Sequence, residues 1–255
     1  MYSNPINLNI FDSISLKELE QVSLLNRKDT KFIFHQSKLP DLLDKIKSSY
    51  KILNIEDINQ FDYNNTYFDT DNLLFYNQHH NECRKRFKVR LRKYSPTNEC
   101  YFEIKVKNNK NRTIKNRIKR NTLNDTNYNS ILDEEKQLVS DIIGISSDML
   151  SPKLSVQFSR ITLVDNSFGE RLTIDTGLTL KNDKECISFD WLVISEIKQK
   201  KYNVRSDYIR TLRSLKIPEM RFSKYCIGMI NIYKDIKYNR FKPKQLYLDK
   251  MSIQT

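Results

Sequence analysis

The stretch Arg84-Lys-Arg-Phe-Lys-Val-Arg-Leu-Arg-Lys-Tyr94 alternates with a period of two: Arg84, Arg86, Lys88, Arg90 and Arg92 fall on one parity, Phe87, Val89 and Leu91 on the other. Successive side chains of a strand point to opposite faces, so the segment predicts a strand with one cationic and one apolar face. The arrangement returns in 100–107, where Tyr101, Glu103, Lys105 and Lys107 oppose Phe102, Ile104 and Val106. It returns again in 113–119, where Thr113, Lys115, Arg117 and Lys119 oppose Ile114 and Ile118. Three such strands in succession predict an antiparallel sheet. A solvated outer face explains one strand of this kind. Its recurrence, with few carboxylates beside the cations, favours a sheet curled so that charged faces line a channel and apolar faces pack outward on helices.

Working outward, Ser15 and Glu18 have capping-box spacing ahead of Leu16, Leu19 and Val22, which predicts a short N-terminal helix. Thr30 to His35 reads as a strand, and 38–50 as a helix with Leu39, Leu42, Leu43, Ile46 and Tyr50 on one face and Pro40 in its first turn. Residues 54–65 read as a polar linker and the His79-His80 pair as loop surface. A helix is expected over 133–143, strands over 153–164, 171–180 and 191–199, with a hairpin at 166–169, and a helix capped by Ser206. From Ile227 onward the pattern assigns no fold.

The chain has 255 residues, 38% hydrophobic and 29% charged, with four Gly and six Pro, which excludes collagen-like and low-complexity classes and suits one domain over 1–255. Forty-four Lys and Arg against 31 Asp and Glu give a net charge of +13, favouring a polyanionic ligand without choosing which. No run reaches the roughly 18 apolar residues of a membrane helix and the opening is not a signal peptide, so the expected location is cytoplasmic. Cys83, Cys100, Cys186 and Cys226 form no CxxC pair, so zinc and redox motifs are not expected.

Glu103 and Glu196 stand inside cationic strands, each two residues before a lysine, on the same strand face as it. That spacing suits a salt bridge or a metal-phosphate site, in which a carboxylate holds a divalent ion and Lys and Arg stabilise charge moving during transfer. Neither a P-loop nor GxGxxG is present, so phosphates must be held by side chains.

Eight pieces in order, Asn26-Arg-Lys-Asp-Thr-Lys31, Tyr67-Phe-Asp-Thr70, Lys88-Val-Arg-Leu-Arg-Lys-Tyr94, Phe102-Glu-Ile-Lys105, Phe158-Ser-Arg160, Arg171-Leu-Thr-Ile-Asp175, Ser195-Glu-Ile-Lys198 and Phe222-Ser-Lys-Tyr225, resemble the polyphosphate-polymerase domain of the vacuolar transporter chaperone (VTC) family, within the triphosphate tunnel metalloenzyme (CYTH-like) group. The resemblance covers about 26–228. It implies an α+β fold, an antiparallel, roughly eight-stranded β-tunnel with packing helices, whose interior takes a triphosphate or growing polyphosphate with a divalent metal, manganese or magnesium. Carried over, Lys31, Arg90, Arg92, Lys105, Arg160 and Lys224 are the catalytic phosphate-binding residues, joined by Lys198. Glu196 is the metal ligand and Glu103 a second candidate. The implied activity is transfer of the terminal phosphoryl group of ATP to polyphosphate. The hydrolases' N-terminal E-x-E-x-K is replaced by Arg27-Lys-Asp-Thr-Lys31, which favours the polymerase branch. The short stretch before Asn26 and the lack of a membrane segment suggest a stand-alone catalytic domain. A metal-dependent inorganic or nucleoside triphosphatase and a non-catalytic polyphosphate- or RNA-binding module are the alternatives. Protein partners are not legible.

Overall fold

The computed structural model describes residues 6–21, 27–95, 98–110, 112–120, 129–167 and 169–253. Asn26, the first residue of the motif series, Val22 of the N-terminal helix and Phe168 of the hairpin lie outside them. The strands are β1 (Asp12–Ile14), β2 (Lys28–His35), β3 (Tyr50–Leu53), β4 (Gln60–Asp69), β5 (Arg86–Tyr94), β6 (Cys100–Lys107), β7 (Thr113–Arg120), β8 (Ser151–Asp165), β9 (Glu170–Lys181), β10 (Cys186–Phe189) and β11 (Leu192–Gln199). The helices are α1 (Leu16–Gln21), α2 (Leu39–Ile46), α3 (Leu74–His80), α4 (Asp133–Ile143), α5 (Asp207–Ser214), α6 (Lys224–Ile232) and α7 (Lys242–Ser252).

Eight strands form one antiparallel path in the order β2-β11-β9-β8-β4-β5-β6-β7, giving the α+β tunnel-like sheet that the alternating strands predict. Outside that path, β10 pairs with β9, and β3 pairs with β8 and, in parallel, with β1. The Ser15–Glu18 box forms: the Glu18 carboxylate accepts from the Ser15 amide at 2.9 Å, and Ser15 Oγ accepts from the Glu18 amide at 3.3 Å.

The outer face of the sheet is apolar because the odd members of β5 and the even members of β6 point there together, and helices cover it. Against Phe32, Phe34, Leu172 and Ile174 lie Leu39, Leu42, Leu43 and Ile46 of α2 with Tyr208, Ile209 and Leu212 of α5. Against Val89, Leu91, Phe102 and Ile104 lie Phe75 of α3 and Val139 of α4. Each fully buried leucine or phenylalanine here contributes about 2 kcal/mol of transfer free energy.

The inner face is not charged throughout. Leu154, Val156 and Phe158 of β8 and Leu178 and Leu180 of β9 are buried with Tyr225, Ile227 and Met229 of α6. The unassigned C-terminal segment is thus two helices, and α6 covers the apolar end of the inner face. A Cβ on Gly228 would come 2.5 Å from Leu154 Cδ2, so glycine lets α6 lie tightly on β8. That approach brings Lys224, at the start of α6, beside the charged end.

Three segments depart from expectation. The helix read over 38–50 stops at Ile46, and Tyr50 instead opens β3, which pairs with β8. The stretch read as a linker enters β4 at Gln60. The His79-His80 pair is not loop surface: it ends α3, with His80 buried and a ring nitrogen of His79 3.0 Å from the Phe87 carbonyl. The cause is Asp69, whose carboxylate accepts the free amides of Phe75 and Tyr76 at 2.9 Å each and so starts a helix that period alone did not announce.

Candidate functional site

Antiparallel register carries the charged parity from strand to strand. On one side of the inner face, Lys31 of β2 stands opposite Glu196 of β11, which stands opposite Thr173 of β9. Lys31 Nζ lies 2.6 Å from one Glu196 oxygen, and Lys198 donates to the other. Arg160 of β8 faces Asp175 of β9 and donates to it through Nε at 2.6 Å and a terminal nitrogen at 2.8 Å. Lys224 reaches the same carboxylate from α6.

On the other side, Tyr67 faces Arg90, which faces Glu103, which faces Arg117. Arg90 gives Glu103 Oε2 two hydrogen bonds, at 2.8 and 2.5 Å, and a third of 3.2 Å to the Tyr67 hydroxyl. Lys115 Nζ lies 2.5 Å from Glu103 Oε1. Arg92 donates to Asn65 Oδ1 at 2.8 Å, and Lys88 to Ser223 Oγ at 2.9 Å. Lys105 lies between Lys88 and Lys115 in register. The two sides meet at Tyr63, whose ring has the Arg92 guanidinium carbon 5.3 Å and that of Arg160 4.9 Å from its centre.

All nine residues expected from the sequence, Lys31, Arg90, Arg92, Lys105, Arg160, Lys198, Lys224, Glu196 and Glu103, therefore share the inner face. Both carboxylates have their two oxygens on cations, Glu103 on Arg90 and Lys115 and Glu196 on Lys31 and Lys198, but Glu103 is wholly buried, as a structural counter-ion is, whereas the Glu196 side chain is 20% exposed. Asp175, Tyr63 and Asn65 hold site cations, and the sequence did not single them out for this. Asp175 entered only as the end of the Arg171-to-Asp175 motif, and the register shows that it lies opposite Arg160. Tyr63 and Asn65 were hidden in the segment read as a linker.

The charges perturb one another. Burial raises the Asp175 carboxyl, yet Arg160 and Lys224 outweigh it and bring it down to about 2. At Glu196 burial also opposes ionisation, and Lys198 and Lys31 hold the carboxyl well below the usual range. Lys105 is pushed well below the ordinary lysine range, chiefly by the Arg90 guanidinium and then by burial. Burial likewise lowers Lys198 and Lys224. A wall of cations this crowded is stabilised by an anion that desolvates with it.

Glu196 supplies one carboxylate, and among the described residues no group of three His, Cys, Asp or Glu gathers around an ion site. That donor set fits magnesium or manganese held together with phosphates, because such ions take one or two protein carboxylates and fill their remaining positions with substrate oxygens and water. It does not fit an ion caged by protein alone.

A putative adenylyl cyclase from Hippeastrum, described as having a dominant triphosphatase activity, superposes with a TM-score of 0.54 at 13% identity, covering 80% of this chain and 95% of its own. A putative adenylate cyclase from Bacillus halodurans superposes with a TM-score of 0.51 at 12% identity, covering 85% and 99%. At these identities the likeness is one of fold, the triphosphate tunnel. No curated protein gives a significant sequence match. The VTC domain family matches residues 26–233, a span that holds every residue of the charged inner face, and the chain belongs to that family.

Proposed function

We propose that this protein transfers the terminal phosphoryl group of ATP to the end of a polyphosphate chain and releases ADP. The observation that carries this is the gathering of Lys31, Arg90, Arg92, Lys105, Arg160, Lys198 and Lys224 on one inner face with Glu196 among them. An oxygen of the terminal acceptor phosphate attacks the γ-phosphorus in line while the bond to the oxygen bridging to the β-phosphorus breaks. ADP takes that electron pair, and no protein nucleophile takes part. The chain's contribution is position and charge. Arg160, fixed by Asp175, and Arg92, fixed by Asn65 and Tyr63, present guanidinium groups already oriented for phosphate oxygens, so little reorganisation accompanies the transfer. Lys31 and Lys198 keep Glu196 ionised, and Glu196 would hold the magnesium or manganese ion. When bound, that ion neutralises charge on the phosphate oxygens.

No helix among the described residues is long and apolar enough to cross a membrane. We place the activity in the cytoplasm, where ATP is at hand.

Purified protein incubated with ATP and either metal, with ADP, free phosphate and polyphosphate measured separately, tests the proposal. ADP matched by polyphosphate with little free phosphate is the expected result. Stoichiometric free phosphate makes the protein a triphosphatase, and binding of polyphosphate or RNA without turnover makes it a binding module.

A further inference from the structure

Arg90 meets the interior of the tunnel partly through another side chain. Its Nε and one terminal nitrogen are held by Glu103, while the other terminal nitrogen donates to the Tyr67 hydroxyl at 3.2 Å. A phenol that accepts in this way keeps its own proton to give. Among the described residues that proton meets no protein acceptor. The side chain is fixed: its ring stacks on Tyr225 with centroids 5.0 Å apart, Tyr225 gives its own hydroxyl to the buried Asp69, and the register sets the apolar Leu154 of β8 opposite Tyr67. The charges facing the phenol come from both walls of the site, Lys88, Arg90 and Arg92 from β5 and Lys224 from α6. Burial raises the phenol, and the three β5 cations outweigh it and bring it below its ordinary value.

We propose that Tyr67 is a further phosphate-binding residue whose hydroxyl donates to an oxygen of the bound chain between Arg90 and Lys224, an inference that rests on the phosphoryl transfer proposed above. A hydroxyl that already accepts from a guanidinium is polarised and becomes a better donor, and its bond to an anionic oxygen is charge-assisted. A buried hydroxyl proton without an acceptor is costly, and a phosphate oxygen removes that cost. Tyrosine also adds a donor without adding charge. Another lysine or arginine here would deepen the repulsion that already depresses Lys105, whereas a phenol leaves the empty site no more crowded. The hydroxyl thus carries the pull of Arg90 to the ligand although Glu103 occupies much of that guanidinium. No proton leaves Tyr67 in the reaction: it binds and orients the phosphate and takes no part in bond breaking.

The test is Tyr67→Phe, which keeps the ring and its stacking and removes only the hydroxyl. Tripolyphosphate affinity without metal is measured by calorimetry, and thermal unfolding shows that the variant is folded. Tyrosine ionisation is followed by ultraviolet absorbance as pH is raised, with and without tripolyphosphate. The variant should bind tripolyphosphate about tenfold more weakly. In the wild type the ligand should move the ionisation of one tyrosine to higher pH, because a phenol that donates to an anion resists losing its proton, and Tyr67→Phe should lack that shift. Unchanged affinity overturns the contact and leaves the tunnel assignment intact. Weaker binding without a tyrosine shift that the variant lacks also overturns it, and makes the hydroxyl a support for Arg90 alone. If the variant does not fold, the wild-type titration decides: no tyrosine shift on binding overturns the contact. Failure of the wild-type protein to bind tripolyphosphate at all removes the proposed function, and the Tyr67 contact with it.

Discussion

Arg160 and Asp175 face each other across β8 and β9 through two hydrogen bonds of 2.6 and 2.8 Å, and Lys224 comes to the same carboxylate from a helix almost 50 residues further on. One buried acid therefore sets the positions of two site cations from separate parts of the fold. Replacing it by Asp175→Asn leaves Arg160 and Lys224 adjacent and uncompensated, at a cost of about 3 kcal/mol. Chemical denaturation measures that cost. Tripolyphosphate should restore more stability to the variant than to the wild type, because the ligand replaces the missing charge.

The same pair makes stability depend on acid. Asp175 falls from an ordinary carboxyl at 3.8 to about 2 in the folded protein, so its contribution is complete above the unfolded value and disappears as pH drops through about 2. The linked stability is about 2 kcal/mol. Denaturation curves for wild type and Asp175→Asn should converge between about pH 4 and pH 2; parallel curves across that window would assign the acid sensitivity elsewhere.

Arg90 and Arg92, equivalent in the sequence, separate in the structure. Arg90 is nine-tenths buried and answers Glu103, so Arg90→Ala strands a buried carboxylate with Lys115 alone and costs about 3 kcal/mol. Arg92 bonds the neutral Asn65 and is repelled by Arg90 and Arg160, so Arg92→Ala changes stability by about 1 kcal/mol or less. Both variants should lose most of the thermal shift produced by tripolyphosphate. A differential scanning measurement that ranks them the other way in the empty protein contradicts this division.

Lys105 is depressed by Arg90, burial, Arg92 and Lys88, against the single opposing charge of Glu103. Its folded value lies below its unfolded one, so its charge destabilises the empty protein, and the penalty grows as pH falls. Lys105→Met should raise the melting temperature without ligand at neutral pH. A bound polyanion raises the lysine again, so at any pH between its values in the empty and the bound protein wild-type binding takes up protons and tightens as pH falls. Calorimetric titrations in buffers of different ionisation enthalpy read that uptake, which should shrink in Lys105→Met.

Glu196→Gln keeps the shape of the side chain and removes the charge that would hold the ion. Turnover of ATP with manganese or magnesium should fall by about two orders of magnitude or more. Tripolyphosphate binding without metal should persist or strengthen, since Lys31 and Lys198 lose their shared partner. Full activity across a metal titration would remove Glu196 from the ion site.

The sequence by itself determined the charged and apolar faces of β5, β6 and β7, the strands β8, β9 and β11, the amphipathic α2, α4 and α5, and the parity of Arg90, Arg92, Lys105 and Lys198 among the proposed phosphate-binding residues. These are local properties: a period of two sends each side chain to a fixed face whatever the rest of the chain does. It did not reveal where β4 begins, that α3 forms, or that the C-terminal segment is helical, because those elements depend on distant partners. Asp69 caps α3 and also accepts the Tyr225 hydroxyl of α6, and α6 lies on β8 only because Gly228 allows Leu154 so near. Tertiary structure alone decided which charges compensate which. Asp175 belongs to Arg160 and Lys224, Glu103 to Arg90 and Lys115, and Glu196 to Lys31 and Lys198. Apart from that last lysine, the partners come from neighbouring strands or from α6, and their proximity follows from antiparallel register and helix packing, which no spacing within a single segment records.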